Sequence, residues 1–280
     1  MFPVEPSEFS LLMIETTQFQ DADKYSEYLR TFSGRLRSDL AWETLKGFLP
    51  DPARQRRVLD LGGGTGSISV RLARKEFQVV LLDSSEEMMG IARKEAEATG
   101  VAERISFCHA DADQLQALFG PESFDIIVCH NLLEYLADDG ALVRAISYVL
   151  RKDGIVSLLA RNRAGEVLKA AIKSSDLELA KKHLSAQTVM DSLYGKPVRV
   201  FDPADLLQML AKADLGVVAE RGVRIFSDYR DLADPDPETY LRLLELEFTL
   251  GSRPEFAAIA RYVQIIARHS QTVQTSERRT

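Results

Sequence analysis

A short apolar segment that runs directly into a glycine cluster constrains this chain more than any other feature. Residues 57–61, Arg-Val-Leu-Asp-Leu, are followed by Gly62, Gly63 and Gly64 and then by Gly66. A buried strand that turns into such a loop lets the backbone approach a ligand closely, because glycine accepts positive φ angles and has no Cβ atom. The spacing lacks the last element of the dinucleotide fingerprint, so a second signal has to define the ligand.

The next apolar segment supplies that signal. Residues 78–83, Gln-Val-Val-Leu-Leu-Asp, place Asp83 at the end of a second predicted strand. An acid at this position can bind the hydroxyls of a ribose. No Gly-Lys-Ser or Gly-Lys-Thr follows the glycines, and Asp60 beside the loop would repel a pyrophosphate. The pattern therefore predicts a ligand with a ribose and a positive charge.

Strands and helices alternate along most of the chain, which predicts an α/β fold with a doubly wound parallel sheet. We expect a Rossmann-like, seven-stranded, mostly parallel sheet with helices on both faces, preceded by an N-terminal helical segment over 21–49. The predicted strands are 57–61, 77–82, 104–109, 124–130, 154–160, 215–225 and 261–267, and the predicted helices are 66–75, 85–99, 112–118, 139–151, 203–213 and 237–250.

The segments outside this alternation define the predicted domain organisation. Residues 1–20 lack periodicity and predict a loose N-terminal arm, and 21–268 form the main domain. Residues 164–200 are polar and predict a helical insertion, either a lid over the site or a solvated helix pair. Residues 269–280 are rich in Ser, Gln, Thr and Arg and predict a disordered tail.

Charge and composition exclude several classes of function. The net charge of −7 argues against a broad basic surface for nucleic acid, although a local basic patch stays compatible with it. No apolar run is long enough to span a bilayer and the N-terminus has no basic leader, so we expect a cytoplasmic protein without membrane contact. The Cys and His residues are not at metal-ligand spacing, so we expect no metal.

Together these motifs resemble those of the class I S-adenosylmethionine (SAM) methyltransferases. The resemblance implies SAM as cofactor and S-adenosylhomocysteine as product. It further implies that Asp60 and the loop of Gly62, Gly63 and Gly64 lie near the methionyl part, that Asp83 binds the ribose, and that Asp111 and the Ala112 amide meet the adenine. A dehydrogenase-like protein or a non-catalytic nucleotide binder is the alternative.

A finer resemblance, nearly end to end, is to the bacterial tRNA 5-carboxymethoxyuridine methyltransferases. The segments that carry it are 34–37 (Gly-Arg-Leu-Arg), His130 with 133–135 (Leu-Glu-Tyr), Asn162 with Gly165, 222–229 (Gly-Val-Arg-Ile-Phe-Ser-Asp-Tyr), 244–247 (Leu-Glu-Leu-Glu) and 261–262 (Arg-Tyr). The resemblance implies that the cofactor is contacted by Arg37, Gly62, Gly63, Asp83, Asp111, Ala112 and His130.

Four side chains have candidate roles in the chemistry, each with a structural alternative. Arg37 can pair with the cofactor's carboxylate or be a surface charge. His130 can position cofactor or substrate or be a hydrogen-bonded structural histidine. Arg224 is the candidate cation for a substrate carboxylate, with an ion pair to Asp228 as the alternative. Tyr229 can bind the substrate or pack in the core.

The methyl acceptor stays open at this stage, because the chain departs from the tRNA enzymes in two places. It has Arg161 where they have a tyrosine, and only scattered basic residues (Lys181, Lys182, Lys196 and Arg199) where they have a run of lysines. The acceptor is thus either the anticodon loop of a tRNA or a small molecule, and a SAM-binding protein without transferase activity is a third possibility. Arg161 could also indicate a carboxylated form of SAM.

Overall fold

The computed structural model describes residues 22–51, 56–229 and 235–270. The predicted arm at 1–20 lies outside these residues, as does the predicted tail from residue 271 onward. The last strand extends to His269, so the first residue of the predicted tail belongs to the sheet. Within the described residues no helix has the length and apolarity that a membrane span requires.

A seven-stranded sheet forms the centre of the molecule and confirms the predicted fold class. In spatial order its strands are β3-β2-β1-β4-β5-β9-β8, and β9 runs antiparallel to both of its neighbours. The remaining two strands, β6 and β7, form a separate hairpin. The strands in chain order are Arg57–Leu61 (β1), Gln78–Asp83 (β2), Ile105–His109 (β3), Phe124–His130 (β4), Leu150–Arg161 (β5), Thr188–Met190 (β6), Pro197–Arg199 (β7), Leu215–Val223 (β8) and Tyr262–His269 (β9).

Helices cover both faces of the sheet. They are Ala22–Arg30 (α1), Phe32–Lys46 (α2), Ser67–Arg74 (α3), Glu86–Ala98 (α4), Leu115–Leu118 (α5), Asp139–Val149 (α6), Arg163–Leu168 (α7), Leu177–His183 (α8), Pro203–Lys212 (α9), Pro237–Gly251 (α10) and Pro254–Ala257 (α11). Side-chain caps start several of them: the Ser85 hydroxyl accepts from the Met88 amide, and the Asp236 carboxylate accepts from the Glu238 and Thr239 amides.

The strand pattern explains why both faces are covered. In β1, Val58 contacts the layer of α3 and α4, whereas Leu59 and Leu61 contact the layer of α6 and α9. A strand that buries side chains on both faces needs a continuous apolar run, as the sequence here provides. Each large apolar side chain buried in this way stabilises the fold by about 1.5–3 kcal/mol.

The sequence prediction needs one correction, in the insertion at 164–200. Its first half is helical, with a π-helical turn at Lys169–Lys173 between α7 and α8, but residues 188–199 form the β6–β7 hairpin. The Asp191 carboxylate accepts from the Leu193 and Tyr194 amides and thereby closes the hairpin turn. The β-branched residues Thr188, Val189 and Val198 favour strands, and Pro197 disfavours a helix.

Asn162 and Gly165 join the end of β5 to the segment that leads into β9. Asn162 is fully buried, and its Nδ2 donates to the carbonyl oxygens of Ala258 (3.0 Å) and Ala260 (2.9 Å). A Cβ atom on Gly165 would lie 2.6 Å from the Ala260 oxygen and 2.7 Å from the Arg261 Cα. The two residues therefore fix where Arg261 and Tyr262 enter the sheet edge.

We expect Gly165→Ala to lower the free energy of unfolding by about 2 kcal/mol, because the new methyl group meets backbone atoms that cannot move independently. Gly90→Ala is the matched control: Gly90 lies within α4 and has open space at its Cβ position, so the same change should stabilise by up to about 1 kcal/mol. Urea denaturation measures both. Equal stability of the two variants would contradict the role assigned to Gly165.

Candidate active site

A cavity of about 330 Å³ opens at the carboxyl edge of the sheet. Ligands of doubly wound sheets bind at this edge. Following the strand order, its walls carry Ala112 beyond β3, Asp83 at the end of β2, Gly62 and Gly64 after β1, His130 at the end of β4, Arg161 at the end of β5, Tyr262 at the start of β9 and Arg224 after β8. We call the part with Gly62, Gly64, Asp83 and Ala112 the glycine half, and the part with Arg161, Lys169, Arg224, Arg261 and Tyr262 the arginine half.

The glycine loop has the conformation that its sequence predicts. Gly62, Gly64 and Gly66 have φ angles of +69°, +54° and +77°, and the Gly62 amide donates to the Leu82 carbonyl (2.8 Å). A Cβ atom on Gly63 would lie 2.6 Å from the Leu81 side chain. The loop is thus held against β2 and exposes backbone rather than side chains to the cavity.

Two carboxylates flank this loop. Asp83 lines the cavity, and its oxygens accept from the amides of Gly64 (2.8 Å) and Ser85 (2.9 Å). Asp60 borders an adjoining cavity of about 50 Å³ together with Gly62 and Gly63, and it accepts from the Ser69 hydroxyl (2.7 Å). Burial raises the pKa of Asp83 above its ordinary value and that of Asp60 to about 6. Because each carboxylate borders a cavity, both are placed to attract a cationic ligand.

The predicted adenine contacts lie at the β3 end of the glycine half. Ala112 lines the cavity, whereas Asp111, which precedes the 3₁₀ turn Ala112–Gln114, is half-buried and does not line it. Their contact with an adenine stays a prediction. Ala112 thus lines the cavity at the end of β3, and the preceding residue, Asp111, does not.

Arg37 and His130 lie between the two halves, where both border the large and the small cavity. Arg37 donates to the Tyr25 hydroxyl (2.9 Å) and lies over the Tyr28 ring; among the described residues no carboxylate forms an ion pair with it. Its charge therefore remains for a ligand. His130 Nε2 is 2.8 Å from the Ser157 hydroxyl, and burial, together with Arg37, lowers the pKa of His130 to about 3. A neutral imidazole at this place favours positioning over acid–base chemistry.

Arg224 forms the ion pair that the sequence suggested as one alternative, and its role toward a substrate carboxylate stays a prediction. It lines the cavity, and its guanidinium forms an ion pair with Asp228 and donates to the Tyr28 hydroxyl (3.0 Å). Tyr229 does not line the cavity, and its buried hydroxyl has no hydrogen-bond partner in the described part of the chain. This position favours the packing alternative for Tyr229, and a contact with the substrate stays a prediction.

Sequence reasoning missed most of the ion pairs in the arginine half. They form a network of three arginines and three acids. Glu166 bridges Arg161 (3.0 Å) and Arg261 (2.6 Å), and Asp228 bridges Arg261 (3.3 Å) and Arg224. Asp191 of the hairpin binds the second nitrogen of Arg161 (2.7 Å). The sequence had suggested the Arg224–Asp228 pair, and a further local signal was a charged residue, Arg161, at the end of an otherwise apolar strand. The network leaves these three guanidiniums electrically compensated.

Tyr262 lies at the centre of this network. Its ring is 5.7–5.9 Å from the guanidinium carbons of Arg37, Arg161 and Arg224. Burial opposes ionisation of the phenol, but the surrounding guanidiniums outweigh it and lower the pKa of Tyr262 to about 7. Arg161, which the sequence suggested as a contact for a carboxylated cofactor, is held by two carboxylates here.

The described residues contain no group of three or more His, Cys, Asp or Glu side chains arranged to hold a metal ion. The donors of the site are instead a glycine loop, two acids and an uncompensated arginine. These groups suit a ligand with a ribose, a cationic centre and a carboxylate, as SAM has.

Comparison with known proteins decides the family. Residues 53–214 match the family described as "Methyltransferase domain". The chain belongs to this family. It is a SAM-dependent methyltransferase, so a dehydrogenase-like protein is ruled out.

Individual relatives agree with this assignment. The tRNA 5-carboxymethoxyuridine methyltransferase of Escherichia coli K12 is 29% identical over 92% of this chain and 98% of that protein. The ubiquinone biosynthesis O-methyltransferase of Aeromonas salmonicida is 32% identical, but over 39% of this chain and 44% of that protein. The CcbJ methyltransferase of Streptomyces caelestis has a similar fold, with a TM-score of 0.61 and 17% identity over 92% of this chain and 99% of that chain.

We expect Asp83→Ala to weaken SAM binding roughly 10- to 100-fold, because it removes a charged hydrogen-bond acceptor from the wall of the glycine half. Asp113→Ala is the matched control, since Asp113 is exposed and does not line the cavity. Isothermal titration calorimetry with SAM measures both. If Asp83→Ala binds SAM like the unaltered protein, the ribose contact predicted for Asp83 is wrong.

The raised pKa of Asp60 predicts a pH dependence of SAM affinity. Below about pH 6 the carboxyl becomes protonated and loses its attraction for a cation. The dissociation constant for SAM should therefore increase as the pH falls from 7 to 5, by at most about tenfold per pH unit below the pKa. Asp60→Asn should remove this dependence. A flat profile in the unaltered protein would show that the charge of Asp60 does not contribute to SAM binding.

Proposed function

We propose that this methyltransferase esterifies the carboxylate of a 5-carboxymethoxyuridine at the wobble position of tRNA. The observation that carries the proposal is the match to the E. coli enzyme of that name, because it extends over nearly the full length of both chains.

The chemistry of the cavity suits a carboxylate acceptor. A carboxylate is already ionised at pH 7, so methyl transfer to it needs no general base. The neutral His130, with its pKa near 3, agrees with such a reaction. When bound, SAM supplies an electrophilic methyl group: a carboxylate lone pair forms the O–C bond, the S–C electron pair returns to sulfur, and no proton moves. The protein then has to align the acceptor and exclude competing orientations.

Basic side chains on the insertion support an RNA acceptor. Lys181 and Lys182 are exposed in the last turn of α8, where they can contact phosphates. Arg199 pairs with Asp139 (2.7 Å), and Arg224 is buried at the cavity. An RNA acceptor would be bound most simply if Lys181, Lys182, Arg199 and Arg224 shared one basic surface. They do not, because Arg199 is paired and Arg224 is buried, so phosphate contacts would come from the two lysines.

A small-molecule acceptor, at a carboxyl, oxygen or nitrogen atom, is the alternative function. The cavity volume is in the range of small-molecule sites, and ubiquinone biosynthesis O-methyltransferases match this chain in part, over 39% of its length in one case and 67% in another. Exposed apolar side chains on the insertion, Ile172, Leu177, Leu184 and Met190, could then form an apolar lid.

The experiment that tests the proposal uses methyl-labelled SAM and total tRNA from bacteria that make carboxymethoxyuridine but cannot methylate it. We expect label to enter tRNA and to be released by mild alkali, as an ester requires. A preparation that binds SAM but transfers no label to this tRNA would contradict the proposal and favour a small-molecule acceptor.

We expect the double change Lys181→Glu with Lys182→Glu to raise the KM for tRNA roughly tenfold or more at low salt, because two phosphate contacts become repulsive. SAM affinity should stay unchanged. The matched control is Lys75→Glu with Lys94→Glu, which alters the net charge equally at exposed positions away from the cavity. Equal KM values for the two double variants would argue against RNA binding by α8.

A further inference from the structure

The cavity contains more cations than its own acids compensate. Arg161, Arg224 and Arg261 are held by Glu166, Asp191 and Asp228, as described above. Of the remaining cations that line the cavity, Arg37 borders the glycine loop and the small cavity, on the side of the predicted cofactor. The other two are Lys169 and Lys173, and neither ammonium group forms an ion pair or a hydrogen bond within the described ranges.

Lys169 is placed differently from the solvent-exposed lysines of the insertion. It is half-buried and begins the π-helical turn, in which its carbonyl oxygen accepts from the Ser174 amide (3.1 Å). Such wide turns are rare and occur frequently at functional sites. The turn packs against Ser227–Tyr229, so Lys169 faces the arginine half from the insertion side.

The surroundings of Lys169 disfavour its charge in the ligand-free protein. Burial lowers the pKa of the ammonium group and the nearby Arg261 guanidinium lowers it further, and Glu166 and Tyr262 offset this shift only in part. An anionic ligand beside the ammonium group would oppose the shift, because it adds negative charge next to the cation.

We propose that Lys169 binds the anionic group of the methyl acceptor, and that the three paired arginines form the rigid wall behind it. The inference rests on the proposed function, in which the anionic group is the carboxylate of carboxymethoxyuridine. Lys169 then takes the place of Arg224 as the primary cation for the acceptor, because Arg224 would have to lose its ion pair with Asp228 in order to bind a second carboxylate.

A lysine also suits the reaction better than a tightly bidentate arginine. The acceptor loses its negative charge as the ester forms, so a strong ground-state pair would cost rate. A single ammonium group forms fewer and less directional hydrogen bonds with a carboxylate than a guanidinium does. Lys169 would therefore contribute mainly to the binding of the acceptor and little to the chemical step.

The test compares three full-length variants, Lys169→Met, Lys169→Arg and Lys212→Met. Lys212 is the control: it is exposed at the end of α9, before β8 begins, and so lies at the sheet edge opposite the cavity. Each protein is assayed for kcat and KM with tRNA, for SAM affinity by calorimetry, and for affinity toward tRNA that carries either the acid or its methyl ester.

We expect Lys169→Met to raise the KM for tRNA roughly 10- to 100-fold with little change in kcat or SAM affinity, and to abolish the preference for the acid over the ester. Lys169→Arg should retain much of this preference, and Lys212→Met all of it. The inference is overturned if Lys169→Met keeps the preference, or if it loses SAM affinity in proportion to tRNA affinity. Failure of the unaltered protein to methylate tRNA would overturn the proposed function and this inference together.

Discussion

The rest of the site depends on the buried ion-pair network of the arginine half. Guanidinium groups are costly to bury unless carboxylates pair with them, and removing one partner leaves an uncompensated charge. Here Glu166 and Asp228 each bridge two arginines, so that elements far apart in the chain are fixed to one another. The end of β5, the first turn of α7, the segment after β8 and the start of β9 meet in this network. Asp191 adds the hairpin of the insertion to it.

Because the network occupies one side of the cavity, the two halves of the cavity have different properties. The glycine half is built from backbone and two acids, and it suits a cationic ligand with a ribose. The arginine half has rigid, compensated guanidiniums around Tyr262, and at its margin lies Lys169, whose ammonium group has no ion pair in the part of the chain that the structure describes. Because Arg37 and the neutral His130 lie at the boundary, the transferred methyl group would pass from one half to the other next to them. These two halves suit the proposed reaction, in which a methyl group is transferred from a sulfonium cofactor to an anionic acceptor.

The sequence predicted the sheet and the glycine half well because their signals are local. Apolar runs such as 78–83 and the glycine cluster each define one strand end, and parallel strands bring those ends together. The hairpin at 188–199 was missed because its strands are three residues long and lie within a polar segment.

The arginine half could not be derived in the same way, because it depends on long-range pairing. Arg161 and Tyr262 are neighbours only because β9 inserts between β5 and β8. The sequence could therefore suggest Arg224 as a ligand or as a partner of Asp228 but could not decide between them. Lys169 was indistinguishable from the other lysines of the insertion until its burial was known, together with the absence of an ion pair to its ammonium group among the described residues.

The most direct measurement is a crystal structure of the protein with S-adenosylhomocysteine and an anticodon stem-loop that carries carboxymethoxyuridine. The account predicts the acceptor's carboxylate within hydrogen-bond distance of Lys169 Nζ, with the Arg224–Asp228 and Arg161–Asp191 pairs intact. A carboxylate bound to Arg224 in place of Asp228, or a nucleoside outside the arginine half, would contradict it.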